Sequence, residues 1–242
     1  MKLTPLMTMH ADLKDPVSVG NGPHGDRAIY DVTGGYFEGE RLKGILLASG
    51  GDWITMDGCR STNPMPNATK EEGALSHMLA YMRLEANNYR WRFNLVTGEV
   101  REGDIDDLNT EFNKINQIYH GVKSKYAYHQ RIPLLEEGGH TLRFNGLVKY
   151  NNDTGQSTQW DYGEGVYGSE TPFAPVKGAN RESEEDHGYV MSLVTDSNTW
   201  KSELQIFNAQ DITQGPIARV KIPHRVPAGF HAWWSRGEDL WK

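Results

Sequence analysis

Nine histidines punctuate this chain of 242 residues, and the one best placed to do chemistry is His231. It lies in the run Pro223-His224-Arg225-Val226-Pro227-Ala228-Gly229-Phe230-His231-Ala232-Trp233-Trp234. Phe230 and a Trp pair flank it, just past prolines that stop the strand-like segment Ala218 to Ile222, so a buried imidazole is expected there. A buried imidazole needs a partner. That partner is either a metal ion, since neutral imidazole suits iron, copper and zinc, or a backbone carbonyl in a satisfied core. One histidine does not define a metal site, and both readings stand on these residues alone. His224, between Pro223 and Arg225 at a strand end, reads as a surface or capping residue, with ligation as the alternative.

Other groupings point to less chemistry. Cys59 beside Arg60 has a cation to favour its thiolate, but no spacing brings a histidine base to it, so it reads as an inert thiol. Gly163-Glu164-Gly165-Val166-Tyr167-Gly168 has the glycines of a dinucleotide fingerprint, yet an acidic residue inside the loop and no following amphipathic helix make it a turn. The acidic run Glu182 to Asp186 is contiguous, without the alternating ligands and glycine turn of a calcium loop, and reads as a solvated loop. The tripeptides starting at Asn67 and Asn152 match glycosylation acceptors by chance, as no secretory signal accompanies them.

His231 has company upstream. Gly165 to Pro175 contains Gly168-Ser169-Glu170-Thr171-Pro172-Phe173; Gly188 to Asp196 and Ser202 to Ala209 follow, then Gly215-Pro216-Ile217-Ala218-Arg219-Val220. Earlier stand Arg90-Trp91-Arg92-Phe93-Asn94-Leu95 with Thr97-Gly98, Glu111-Phe112-Asn113-Lys114-Ile115-Asn116, and Phe144 to Tyr150. This ordered set, from about Tyr89 to Trp234, resembles the C-terminal part of the carotenoid cleavage oxygenases, particularly their bacterial lignostilbene dioxygenase-like members. The resemblance implies a seven-bladed β-propeller that holds non-haem Fe(II) on its axis with four histidines, several oriented by glutamates. It further implies O2-dependent cleavage of an apolar alkene (a carotenoid, apocarotenoid or stilbene) into two carbonyl products. Carried over, His231 matches the last ligand, and Glu111 and Glu170 match the glutamates. A carboxylate that accepts the distal N–H of a ligating ring fixes its tautomer. Phe230, Trp233 and Trp234 would line the pocket and exclude water. Asn113 stands where the family usually has proline.

Three of the four histidine ligands have no match. Only about a hundred residues precede Glu111; His77 lacks the acidic residue that commonly follows a family ligand, and His10 and His24 belong to another pattern. Residues 1–60, with Val32-Thr33-Gly34-Gly35-Tyr36-Phe37-Glu38-Gly39 and Gly50-Gly51-Asp52-Trp53, resemble the start of a small bacterial β-barrel domain of unknown function. The expected organisation is therefore a truncated barrel-like β-meander over 1–60, a linker with a short helix over 61–88, and a partial propeller over 89–242. Two functions follow from different classes: a member of the iron dioxygenases that is incomplete as an isolated catalyst, or a non-catalytic β-rich fusion or truncation product that at most binds a partner.

The elements that must position these residues read as strands. Ala28–Val32, Leu42–Ala48, Arg90–Leu95, Ser124–Tyr128, Leu142–Tyr150, Thr158–Tyr162, Tyr189–Thr195, Ser202–Phe207 and Ile217–Ile222 are rich in β-branched or aromatic residues, and several alternate. Between them Gly34-Gly35, Thr97-Gly98 and Asn151-Asn152-Asp153-Thr154-Gly155 favour tight turns. Only 70–85 carries helical spacing. The fold class is all-β, with 37% hydrophobic and 10% aromatic residues to fill a core. An incomplete propeller leaves strand edges open, so self-association is expected. The net charge of −7 argues against nucleic acid or an anionic membrane as partner. No apolar run reaches the roughly eighteen to twenty residues of a transmembrane span. A lone cysteine and an N-terminus without a signal-peptide core fit the cytoplasm.

Overall fold

The structure, a computed structural model, describes residues 53–61, 85–94, 96–120, 122–133, 143–227, 229 and 231–240, and the backbone of three N-terminal strands. Its strands are β1 (Ile29–Phe37), β2 (Arg41–Lys43), β3 (Leu47–Ser49), β4 (Trp53–Ser61), β5 (Asn87–Asn94), β6 (Val100–Lys114), β7 (Tyr126–Arg131), β8 (Gly146–Asn151) and β9 (Gln156–Asp161). Five more follow: β10 (Val166–Tyr167), β11 (Phe173–Pro175), β12 (Gly188–Asp196), β13 (Lys201–Asn208) and β14 (Pro216–Ile222). The four-residue helix α1 (Gly237–Leu240) is the one α-helix among the described residues. The all-β expectation holds. Most of the linker with a short helix expected over 61–88, together with His10, His24 and His77, falls outside the described residues.

The chain divides into two compact units, the first of residues 1–111, 120–123 and 134–142, the second of residues 112–119, 124–133 and 143–242. In the first, β1, β4, β5 and β6 are neighbours in that order and antiparallel. Arg90 faces Asp57 in the β4–β5 register and donates twice to its carboxylate, Nε and Nη2 each at 2.7 Å. That planar fork explains why the pairing is specific. The Gly34-Gly35 pair, expected as a turn, lies inside β1, where the register shifts between Val32 and Gly34. Glycine there accommodates a bulge instead of ending the strand. The sheet also differs from the organisation expected at 60/61, because β4 pairs with β5 from Trp53↔Asn94 to Arg60↔Asn87.

In the second unit, β7, β8 and β9 form an antiparallel meander. The β8–β9 connection is the tight turn the sequence announces: Asn151 O accepts from Thr154 N and Gly155 N, its Oδ1 accepts from Asp153 N, and Gly155 takes φ +72°. A second antiparallel sheet runs β10-β12-β13-β14, with β11 also on β12. Tyr128, Leu147, Tyr162, Phe173, Val190, Val194, Phe207, Ala209 and Ile212 form the core of this unit. Buried phenols meet acceptors: Tyr128 Oη donates to Ala209 O at 2.9 Å and Tyr162 Oη to Gln130 Oε1 at 3.2 Å.

Burial pushes the Tyr162 hydroxyl up to about 12 and raises that of Tyr128. An unfolded tyrosine ionises near 10, so the stability that neutral Tyr162 contributes is full below about pH 10 and is lost toward pH 12 at about 1.4 kcal/mol per pH unit. Urea unfolding between pH 9 and pH 11.5 should show that slope. Tyr162→Phe should make it shallower, and an unchanged slope would place the phenol in water.

Candidate metal centre

Of the residues expected to form the site, Glu170 and His231 lie near each other in the second unit. Glu170 is 2% exposed, which demands compensation of its charge. Lys114, at the end of β6, supplies it with Nζ 2.6 Å from Oε1. The backbone N–H of Ala232 donates to Oε2. His231 Nδ1 stands 4.0 Å from the same oxygen, beyond direct hydrogen-bond reach. The ring of Phe112 meets that of His231 edge-on at 5.5 Å and that of Phe144 at 5.1 Å.

Two backbone features produce this convergence. Phe112 has φ +54° and His231 φ +63°, the left-handed region that non-glycine residues seldom occupy. Phe112 stands in the stretch of β6 where burial does not alternate, Asn109 to Asn113 being all buried and Lys114 half-buried. At His231 the left-handed backbone directs the next N–H onto Glu170.

The expected burial of His231 is corrected, since its side chain is 80% exposed. Beyond Ile222 the described residues form no further strand, and the Phe112 ring lies against the imidazole. Trp233 is likewise 59% exposed, with the Lys114 ammonium 5.8 Å from its ring centroid. Trp234 is half-buried and its carbonyl accepts from Gln117 Nε2 at 3.1 Å. Phe230 lies outside the described residues. Glu111 is buried at 6% and belongs to the first unit. His224 is exposed, as the surface reading expects.

Among the described residues no three His, Cys, Asp or Glu side chains converge as a metal would require. The resemblance expects His231 and Glu170 at one corner of a four-imidazole iron site, and the structure sets His231 Nδ1 4.0 Å from Glu170 Oε2. The described residues do not fit the whole site, because one exposed imidazole offers neither the donor number nor the enclosure that ferrous iron needs.

The acidic run is not the solvated loop expected. Glu182 and Glu184 are exposed, but Glu185 turns inward to accept from Lys125 N and Tyr126 N, each at 2.8 Å, and Asp186 pairs with Lys149 Nζ at 2.7 Å. Burial raises the Glu185 carboxyl above its ordinary value. These carboxylates anchor β7 and β8. A cleft of about 540 Å³ elsewhere in this unit is lined by Tyr162, Val194, Lys201, Glu203, Gln205 and Arg219, among others. Glu203 in it accepts from Arg219 and from Gln205 Nε2, a charged lining unsuited to an apolar alkene.

The antiparallel β architecture is that of the β-propeller oxygenases among solved structures. The sequence model of the retinal pigment epithelial membrane protein family matches residues 30–236, and the chain belongs to this family, which includes the carotenoid cleavage dioxygenases. It is 32% identical over 197 residues to a carotenoid 9,10(9',10')-cleavage dioxygenase of Crocus sativus, covering 78% of this chain and 35% of that protein. A lignostilbene dioxygenase structure from Pseudomonas brassicacearum matches with TM-score 0.67 and 23% identity, covering 88% of this chain and 42% of that one. Apocarotenoid oxygenase of Synechocystis, in a mutant structure, matches with TM-score 0.64 and 20% identity over 86% of this chain and 40% of that one. The chain thus spans about a third of the length of the curated relatives it matches. The family match also begins at residue 30, well before the resemblance from about Tyr89 legible in the motifs. No helix among the described residues is long and apolar enough to cross a membrane.

Proposed function

We propose that this chain carries the last histidine corner of an iron-dependent, alkene-cleaving dioxygenase and is catalytically incomplete without imidazoles from elsewhere. The observation that supports this reading is the placement of His231 Nδ1 4.0 Å from Glu170 Oε2. One small movement of the ring would give the carboxylate–imidazole contact that orients a metal-ligating histidine. Ferrous iron would be the cofactor. The substrate class is an apolar alkene, a carotenoid, apocarotenoid or stilbene, cleaved with O2, and the location is cytoplasmic. Glu111 would serve a second ligating ring, and Phe230, Trp233 and Trp234 would shield the corner once its other walls are present.

Anaerobic titration with ferrous iron tests the proposal on wild type and His231→Ala. The isolated chain should show weak, substoichiometric binding that His231→Ala abolishes, and no cleavage of a stilbene under O2. One tight equivalent with O2-dependent cleavage would overturn the incompleteness. Iron binding that ignores His231→Ala would overturn the ligand assignment.

Self-association belongs to the same proposal. Edge strand β14 has Ile217 55% and Val220 52% exposed, a surface that invites pairing with another chain. Sedimentation velocity should show mass increasing with concentration, whereas a monomer at every concentration would refute it.

A further inference from the structure

We infer that Lys114 is the positioning residue of the His231 corner: by fixing the Glu170 carboxylate, it sets where Ala232 and His231 stand. The inference deepens the reading of His231 as a ligand and rests on it only for its functional meaning. Glu170 is 2% exposed, so a cation at contact distance determines its orientation. Lys114 is that cation, Nζ 2.6 Å from Oε1. With Oε1 held, the direction of Oε2 is held too, and Oε2 is the oxygen that takes the Ala232 N–H and faces His231 Nδ1.

The imidazole is 80% exposed, with Phe112 beside it among the described residues. Its position therefore follows its backbone, which is in the left-handed region at φ +63°. Such a backbone persists only where its neighbours over-determine it. The hydrogen bond from Ala232 to Glu170 is the restraint immediately next to it. The dependence thus runs from Lys114 to Glu170, to the Ala232 N–H, to the turn at His231. The second left-handed residue, Phe112, lies two positions before Lys114, so the irregular end of β6 delivers both the cation and the ring that touch this corner.

Amide hydrogen exchange by NMR on the full chain, without metal, tests the inference. Lys114→Met should speed exchange at Ala232 about tenfold, as expected for loss of one charge-assisted hydrogen bond, with Val190 and Phe207 in the core strands unchanged. Lys114→Arg should restore protection. If Lys114→Met destabilises the whole unit, the doubly substituted Lys114→Met/Glu170→Gln chain, with no buried charge left over, should recover core protection while Ala232 stays fast. An Ala232 amide indifferent to Lys114→Met, or changed only in step with the core amides, would overturn the inference. Because no metal enters the measurement, its failure is separate from a failure of the ferrous titration.

Discussion

Replacing Lys149 by methionine should cost the second unit about 3–5 kcal/mol, the penalty for stripping one partner from a buried ion pair. Lys149 and Asp186 have side chains only 10% and 12% exposed, with Nζ 2.7 Å from Oδ2. The ammonium also donates to Gln210 O at 2.8 Å and lies 4.3 Å from the centroid of the Tyr126 ring. It thereby joins β8, β7 and the segment after β13. Methionine keeps the length of the side chain but leaves the Asp186 carboxylate without its cation. Urea unfolding should show the midpoint fall at unchanged slope. Lys149→Met/Asp186→Leu should recover most of the loss, because it removes both charges. A loss below about 1 kcal/mol in the single variant would mean that the pair behaves as a surface bridge.

That lysine shows why the sequence discloses some of this molecule and not the rest. Segments with aromatic and β-branched residues, such as Tyr189–Thr195 and Ser202–Phe207, become strands within a residue or two of their expected ends, because side-chain alternation and turn chemistry are local. β6 is invisible to that reasoning. Its first half carries Glu102, Asp104, Asp106 and Asp107 with little apolar alternation, and it is a strand because β5 pairs with it, as Trp91 with Glu102 and Arg92 with Arg101. Pairing between strands overrides propensity at such positions.

The site divides in the same way. Glu170 and His231 are legible as a carboxylate and a ligand through the motifs around them, and the structure brings them to 4.0 Å. Lys114 is not legible. A lysine near a strand end reads as solvated, and only the left-handed turn at Phe112 aims it at Glu170. Glu185 and Asp186 mislead for the converse reason, since a run of acids looks solvated until Lys149 and the N–H groups of Lys125 and Tyr126 are seen to meet it. Burial of charge is a property of the partner, and the partner is distant in sequence.

His129 is one of four histidines that the motif reading passes over, and the largest effect of pH should come from it. It lies in the middle of β7, where Ala127 to Gln130 are all buried, opposite Val148 and with its ring 4.6 Å from that of Tyr150. Burial holds its imidazole down at about 3. An unfolded histidine takes its proton near 6.5, so between about pH 6.5 and pH 3 the unfolded chain binds a proton that the folded chain refuses. The contribution of neutral His129 is therefore full above pH 6.5 and declines on acidification by about 1.4 kcal/mol per pH unit, which is about 2 kcal/mol by pH 5. Glu185 acts in the opposite sense, because its raised carboxyl is protonated more readily in the fold, so the imidazole is read from the difference between wild type and a variant that keeps Glu185. Urea unfolding at pH 7.5, 6.5, 5.5 and 5.0 should follow that decline in wild type, and His129→Gln, which keeps a polar side chain without the titration, should run nearly level. Parallel curves for the two proteins would mean that water reaches the imidazole in the folded chain.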